Sequence, residues 1–581
     1  MSRPTDVGPL PASQAGDPLE AVLRYHQETK HHFSRYARAP ATLDWANQPD
    51  PFRRYEGSPL VPLPLLRLDD APRSPPYADL YRPGAIASAP VTLRAISRLF
   101  EYSLAISAWK QAGAARWALR TNPSSGNLHP TEGYLLVGEV PGLSRFAGLF
   151  HYAPREHALE LRAQLPPEGF DSLLHGFPPH AFLLGFASVN WRETWKYGER
   201  AFRYCQHDVG HAIGCARIAA RTLGWRMQLL DGEADDAVAA LLGVDRPEDF
   251  EGAEREHPDC LAVVWPADHG AGVSSGQTIR LPLFLATDAV QESRRHRWHG
   301  KANRLSHDDP VPWPLLTEVE AASWKSSTER KLVELSRGNE AVNAPGICPD
   351  QPSAAQMIHQ RRSALAFDGR TSVSASRFFT MLARVMPQAN RDSCQRPPPW
   401  DVLPWEPAIH LALFVHRVDG LAPGLYLLVR DPAKTGALKT AMRRQFAWTS
   451  APGCSEDLPL YLLEQGDARQ LATQLSCRQE IAGDSAFSMG MIAEFEPSLR
   501  RYGAWFYRRL FWESGVIGQV LYLEAEAAGV RATGIGCFFD DPVHEVLGLD
   551  DARFQSLYHF TTGGHVEDPR LTTLPPYAIT P

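Results

Sequence analysis

AFLLGFASVNWRETWKYGERAFRYCQHDVGHAIGCARIAARTLGWRMQLLDGEADDAVAALLGVD (residues 181–245) and AFSMGMIAEFEPSLRRYGAWFYRRLFWESGVIGQVLYLEAEAAGVRATGIGCFFDDPVHEVLGLD (residues 486–550) align end to end without a gap. Ala181-Phe182 meets Ala486-Phe487, Gly185 meets Gly490, and Tyr197-Gly198 meets Tyr502-Gly503. Arg203 meets Arg508, Gly210 meets Gly515, and Gly224 meets Gly529. Asp235-Asp236 then meets Asp540-Asp541, and Leu242-Gly243 meets Leu547-Gly548. Agreement in one register over such a span, glycines and a double aspartate included, marks two copies of one domain.

Shorter echoes lie outside this block. Gly148-Leu149-Phe150 parallels Gly424-Leu425-Tyr426, and LHPTEGYLLV from Leu128 parallels LPWEPAIHLALFV from Leu403. In each copy a long Ala- and Leu-rich run, 203–224 and 508–529, ends at a glycine suited to a helix C-cap. Residues 134–137, 411–415 and 260–265 are short apolar runs that read as strands. Helices and strands mix without regular βαβ alternation, so the expected class is α+β. The chain divides into a Pro-rich arm at 1–80, one copy at 81–289, a polar connector at 290–345 with one helix at most, and a second copy at 346–581. The basic runs RRHRWHGK and STERK in the connector read as solvated linker.

Composition narrows the function. A chain of 581 residues is too long for one core, and a net charge of −7 gives no reason to expect nucleic acid or an anionic membrane. Eight cysteines without a CxxC pair argue against a zinc ribbon or disulfide framework. The start, MSRPTDVGPLPASQAGD, lacks a signal-peptide pattern, and no apolar run approaches a membrane span. The expectation is a cytoplasmic protein, monomeric or further dimerised, that acts on a small molecule or peptide.

Three segments carry the chemistry. They are Arg120-Thr-Asn-Pro123-Ser124-Ser125-Gly126-Asn127-Leu128-His129-Pro130, Arg361-Arg362-Ser363-Ala364-Leu365-Ala366-Phe367, and Thr533-Gly534-Ile535-Gly536-Cys537-Phe538-Phe539-Asp540. In that order they resemble the Pro-Ser-Ser loop, the Arg-Arg-Ser phosphate motif and the flavin-ring turn of the nitroreductase superfamily. Trp195-Lys196-Tyr197-Gly198-Glu199-Arg200, with YHQETKHHF at 25–33 and LDWANQPDPF at 43–52, is similar to the SagB/ThcOx-type branch, which includes oxidases of peptide azolines. The resemblance implies two fused nitroreductase-like domains, an intramolecular pseudo-dimer of mostly antiparallel sheets flanked by helices, with FMN as cofactor.

It also implies roles. Arg361, Arg362 and Ser363 offer a guanidinium fork and a hydroxyl to the FMN phosphate. Leu365 departs from the pattern, which usually has a second cation there, and Arg570 stands where the family often has a C-terminal basic residue. Gly534, Gly536 and Cys537 let backbone N–H groups approach the ring. Ser124, Ser125 and Asn127 offer hydrogen bonds to ribityl and ring edges, and Pro123 stiffens their loop. Lys196-Tyr197 resembles the base and relay of the azoline oxidases; the second copy has Arg501-Tyr502 there, and arginine is a poor base.

The copies are unequal. The first has the Pro-Ser-Ser loop and no Arg-Arg-Ser; the second has Arg-Arg-Ser and the glycine turn, with Pro397-Pro398-Pro399-Trp400 in place of the loop. Leu230-Asp231-Gly232 occupies the first copy's glycine turn. One composite site, and one FMN per chain, is expected. His207 and His211 sit four apart on a likely helix with Asp208, a spacing that can bind metal, but no third ligand is evident, so the histidines read as core or flavin-lining groups and no metal is expected. Cys537 reads as a small packed residue, with a reactive thiol as the alternative, and the run 476–487 as part of a lid. The leading function is FMN-dependent dehydrogenation of a peptide-derived or other azoline-like heterocycle in natural-product tailoring. A nicotinamide-dependent nitro- or quinone reductase, and a flavin binder without turnover, stay open beside it.

Overall fold

The computed structural model describes residues 16–267, 278–293, 295–326, 330–336, 352–387 and 396–577. The first fifteen positions (1–15), much of STERK, the connector's end (337–345) and the second copy's start (346–351) lie outside these residues.

Helices Ala201–Thr222 and Phe506–Ala527 occupy corresponding positions in the two copies. Each stops two residues before a glycine in the left-handed region, Gly224 (φ 68°) or Gly529 (φ 75°), which ends the helix without a Cβ clash. All of the first helix except Arg221 is buried, and all of the second except Glu526 and Ala527. A helix buried on every side lies in the middle of a molecule. These two pack on each other, and Gly210 and Gly515 meet where they cross. A Cβ on Gly210 would lie 2.4 Å from the Trp512 carbonyl oxygen, and one on Gly515 would lie 2.4 Å from the His207 carbonyl oxygen.

The repeat's shared charges cross the same seam reciprocally. Arg203 of the first copy pairs with Asp540 of the second at 2.8 Å, and Arg508 of the second pairs with Asp235 of the first. Such self-complementary pairing is the mark of a two-fold interface, here made within one chain. Buried ion pairs add little net stability, but removing one partner strands a charge at a cost of about 3–5 kcal/mol.

Each copy builds the same antiparallel sheet. In the first, the strand order is Arg297–Trp298, Ala158–Leu165, Ala147–Ala153, Thr131–Val137, Phe182–Ser188, His257–Pro266, Trp225–Leu229. In the second it is Thr449–Ser450, Leu460–Gln465, Gly424–Leu428, Ile409–Val415, Phe487–Glu494, Phe554–Gly563, Arg531–Ile535. The runs expected at 134–137, 411–415 and 260–265 lie inside three of these strands.

Segments outside the repeat tie the halves together. The arm's Leu60–Pro62 extends the first sheet, while His31 donates its backbone N–H to Asp540 of the second copy at 2.9 Å. The chain's last described strand, Thr572–Leu574, returns to the first copy and pairs with Ile106–Ala112. In 290–345, Arg297–Trp298 and Lys301–Ala302 add short strands to the first copy and the arm. The same stretch carries helix Pro314–Ala322, and helix Thr287–Ser293 enters it.

Candidate active site

Between the copies lies a cavity of about 440 Å³, within the roughly 300–1,000 Å³ usual for small-molecule sites. Its lining includes Pro123, Ser124, Ser125, Gly126 and Asn127 from the first copy. The second copy contributes Arg361, Arg362, Ser363, Gly534, Gly536 and Cys537. The three motifs, the outermost more than four hundred residues apart in the chain, therefore face one space.

The Pro123–Asn127 loop is held by its own polar groups. The Ser125 N–H donates to Asp208 at 3.0 Å and its hydroxyl at 3.1 Å. The Ser124 hydroxyl accepts the His129 N–H at 2.8 Å, and the Asn127 amide donates to the Ala118 carbonyl at 2.9 Å. Gly126 and Asn127 take left-handed backbone (φ 59° and 60°), which glycine and asparagine tolerate best. The loop serines and asparagine thus shape the wall with groups that the sequence reading assigned to a ligand.

At the cationic end, helix Ala354–Gln360 starts in a capping box at Ser353 and stops at Arg361. Arg361 is buried, donates to the Arg120 carbonyl at 3.0 Å, and lies 5.1 Å over the Tyr522 ring. Its Nε has no partner among the described residues. Arg362 is held by the carbonyls of His359 and Ser107, and burial, with Arg361 beside it, lowers its pKa to about 10. The Ser363 hydroxyl meets the Tyr522 hydroxyl at 2.9 Å.

Arg570 is elsewhere. Its side chain is 84% exposed and paired with Asp568 two residues away, a local contact that turns it outward. Lys110, Arg120 and Arg531 are the further lysine and arginine side chains on the cavity wall.

At the other end the turn is shaped by aromatic neighbours. A Cβ on Gly534 would lie 1.9 Å from the Tyr558 hydroxyl, and one on Gly536 2.4 Å from the Tyr204 ring. A side chain at either position would have to push the tyrosine ring aside. Helix Asn190–Tyr197 ends at Gly198 (φ 54°) and delivers Lys196 and Tyr197 over the loop. Tyr197 lines the cavity; Lys196 is half-buried, with its Nζ 5.2 Å from the Tyr197 ring. A Cβ on Gly126 would lie 2.5 Å from the Tyr197 hydroxyl and 3.2 Å from Lys196 Nζ. Gly126→Ala is therefore expected to displace both groups, to cut turnover about tenfold, and to lower the melting temperature slightly because alanine is strained at φ 59°; steady-state kinetics beside a thermal melt checks this.

Asp208 is the group whose role the sequence reading missed. Buried under the loop, it lines the cavity, and burial raises its pKa to about 7 against the hydrogen bonds from Ser124 and Ser125. Glu193 is also buried, with both oxygens unpartnered among the described residues; burial and the Asp208 charge raise it well above the carboxylate range. Burial likewise keeps the Tyr197 phenol protonated. His207 stacks on Tyr558 at 4.1 Å and His211 meets the Tyr558 hydroxyl at 3.2 Å, so both are packed against an aromatic ring. The spacing alone drew attention to this helix face, but helical period could not show which side group looked into a cavity built by the other copy.

The symmetry-related position is filled. Asp231 stands in the first copy where Gly536 stands in the second, and Arg509 where the first has Tyr204. These two pair at 3.0 Å, with Lys325 donating to the Asp231 carbonyl. Arg217, the counterpart of Tyr522, pairs with Asp401 at 2.6 Å, and Trp400 is buried beneath Arg430.

The cavity's chemistry fits FMN. One end offers guanidinium groups, including a buried unpartnered Nε, to a phosphate dianion; the other offers backbone and aromatic edges to a planar ring.

A family model described as the nitroreductase family matches residues 445–564. That match lies wholly within the second copy. A crystal structure from Anabaena variabilis, named for the same family, superposes with a TM-score of 0.63 at 21% identity, over 94% of this chain and 99% of that one. The nitroreductase fold thus extends through both copies. The Methanocaldococcus jannaschii protein MJ1384, also nitroreductase by name, is 26% identical over 164 residues, 27% of this chain and 77% of its own. The trifolitoxin-processing protein TfxB of Rhizobium leguminosarum bv. trifolii is 30% identical over 132 residues, 21% of this chain. The match spans 35% of TfxB's length. No helix among the described residues is long and apolar enough to cross a membrane.

Proposed function

We propose that this chain is an FMN-dependent oxidoreductase with one flavin per polypeptide, dehydrogenating a peptide-derived or other azoline-like heterocycle. The observation that carries this reading is the single cavity lined by one copy's loop and the other copy's Arg-Arg-Ser motif and glycine turn. The ion pair Arg509–Asp231 at the related position supports a count of one. Azoline-type processing is supported by Lys196-Tyr197 and by the likeness to a protein named for trifolitoxin processing.

Bound FMN would supply a two-electron acceptor at its ring. Arg361, Arg362 and Ser363 would hold its phosphate, and the backbone of Gly534, Gly536 and Cys537 would face its ring. Lys196 takes the substrate proton, and the protonated Tyr197 phenol positions or relays it. Asp208 holds the loop beneath them and, with a pKa of about 7, can share that proton at neutral pH.

Flavin and protein are measured in the same purified sample. One FMN per chain is expected; two, or none after reconstitution, would refute the reading. Arg361→Ala is expected to weaken FMN binding by about two orders of magnitude, as loss of a bidentate, charge-assisted phosphate contact does. Fluorescence titration with FMN reads it. Rapid bleaching by NADPH without turnover of an azoline would move the function to a reductase.

A further inference from the structure

Three side chains outside this chemistry converge at the cavity's edge. Cys537 is on the glycine turn and lines the cavity. Cys477 comes from the run before Phe487, and His31 from the N-terminal arm. The Cys537 and Cys477 sulfurs lie 2.6 Å apart, and His31 Nδ1 lies 3.6 Å from the first and 3.9 Å from the second. Both cysteines are free thiols and partly exposed. Cys477 and Arg478 hold left-handed backbone (φ 54° and 59°), unusual for residues with a Cβ, and this bend is where the run meets Cys537.

We propose that Cys477 and Cys537 are a redox-active pair that forms a reversible disulfide at the cavity wall. The other cysteines of the described residues lie apart from this cluster. Cys205, Cys215 and Cys260 are buried, and Cys454 hydrogen-bonds the Leu458 carbonyl. Reactive thiols sit in partly exposed places beside a basic group, and Cys537 has such a place. Its hydrogen bond with Cys477, the His31 ring beside it and the Arg200 charge lower its pKa despite burial.

The oxidant is a small-molecule disulfide of the glutathione class. The Cys537 thiolate attacks one of its sulfurs, breaking that S–S bond and releasing one thiolate. Cys477 then attacks the Cys537 sulfur of the mixed disulfide, and its proton leaves with the second small thiol. Two cysteine thiols are oxidised by two electrons, and one disulfide is reduced to two thiols. The bond staples the 476–479 bend to the turn after Gly536. Gln479 already donates to the Cys537 carbonyl at 3.1 Å across the same gap. The device therefore sets the rigidity of one wall of the site.

The test equilibrates the full chain with oxidised or reduced glutathione, quenches with an alkylating agent, and maps peptides by mass. Oxidised protein is expected to yield the Cys477 and Cys537 peptides joined, with alkylation of both down about tenfold, and dithiothreitol is expected to restore it. Cys454 should alkylate equally in both samples. Cys477→Ser should instead leave glutathione attached at Cys537. Equal alkylation of the pair in both samples would overturn the proposal, as would a bound metal ion that blocks both thiols until a chelator removes it. Because mass mapping needs no flavin, its outcome is independent of the proposed cofactor.

Discussion

Gly210→Ala and Gly515→Ala are each expected to destabilise the fold by about 3 kcal/mol or more, at the upper end of overpacking effects. Intrinsic propensity argues the opposite. In a free helix, alanine for glycine stabilises by about 1 kcal/mol. What decides the sign is the neighbour: the added carbon would meet backbone oxygen at 2.4 Å in both cases, and backbone in a buried helix cannot step aside as a side-chain tip can. The two central helices would have to separate, which opens the seam holding both copies. In a thermal melt of a 581-residue chain unfolding as one unit the drop should be roughly 2–3 °C or more, or soluble protein should be lost altogether. The double variant should fall short of the sum, since the first alanine has already forced the helices apart. A melting temperature raised by either alanine would show that the copies do not cross at these glycines.

Asp208→Asn is expected to stabilise the flavin-free protein above neutral pH and to do little in acid. The folded pKa of about 7 lies above an ordinary unfolded value of about 3.9. Between those values the unfolded chain ionises Asp208 while the folded one keeps it neutral, so stability falls as pH rises. Below that window both states are protonated and nothing is lost; above it the loss is complete and constant. Three units correspond to roughly 4 kcal/mol, an upper figure because the structure relaxes. Asparagine carries no charge and can still accept from Ser125. Melts of both proteins from pH 5 to pH 8.5 should show a gap that grows to about pH 7 and then levels. A gap independent of pH would mean that the carboxylate is not held neutral by burial. Lost turnover with retained FMN in the same variant would show that the carboxyl serves the chemistry as well as the loop.

The fold was legible because an internal repeat speaks about packing. Glycine pairs at helix crossings and the Arg203 and Asp235 counterparts recur for reasons local to each copy, so alignment of the chain with itself exposed them. The cavity's broad make-up was legible for the same reason: Pro-Ser-Ser and Arg-Arg-Ser each survive in only one copy. What sequence could not carry was orientation. Ser125 and Asn127 look like ligand donors until Asp208 and the Ala118 carbonyl are found to occupy them. Arg570 looks like a phosphate ligand until Asp568 claims it. Cys537 looks like packing because its partner lies sixty positions away in a bend with no CxxC signature.

The Arg509–Asp231 pair has an evolutionary corollary. In an assembly of two identical subunits every codon change is felt twice, once at each end of the symmetry axis. An aspartate at the turn would then ruin both pockets together. Joined in one reading frame, the halves mutate separately, and a charge that plugs one end leaves the other untouched. Loss of one pocket by such a chain is therefore a route to specialisation: the retired half is free to become a rigid wall that its working twin could not be without sacrificing itself.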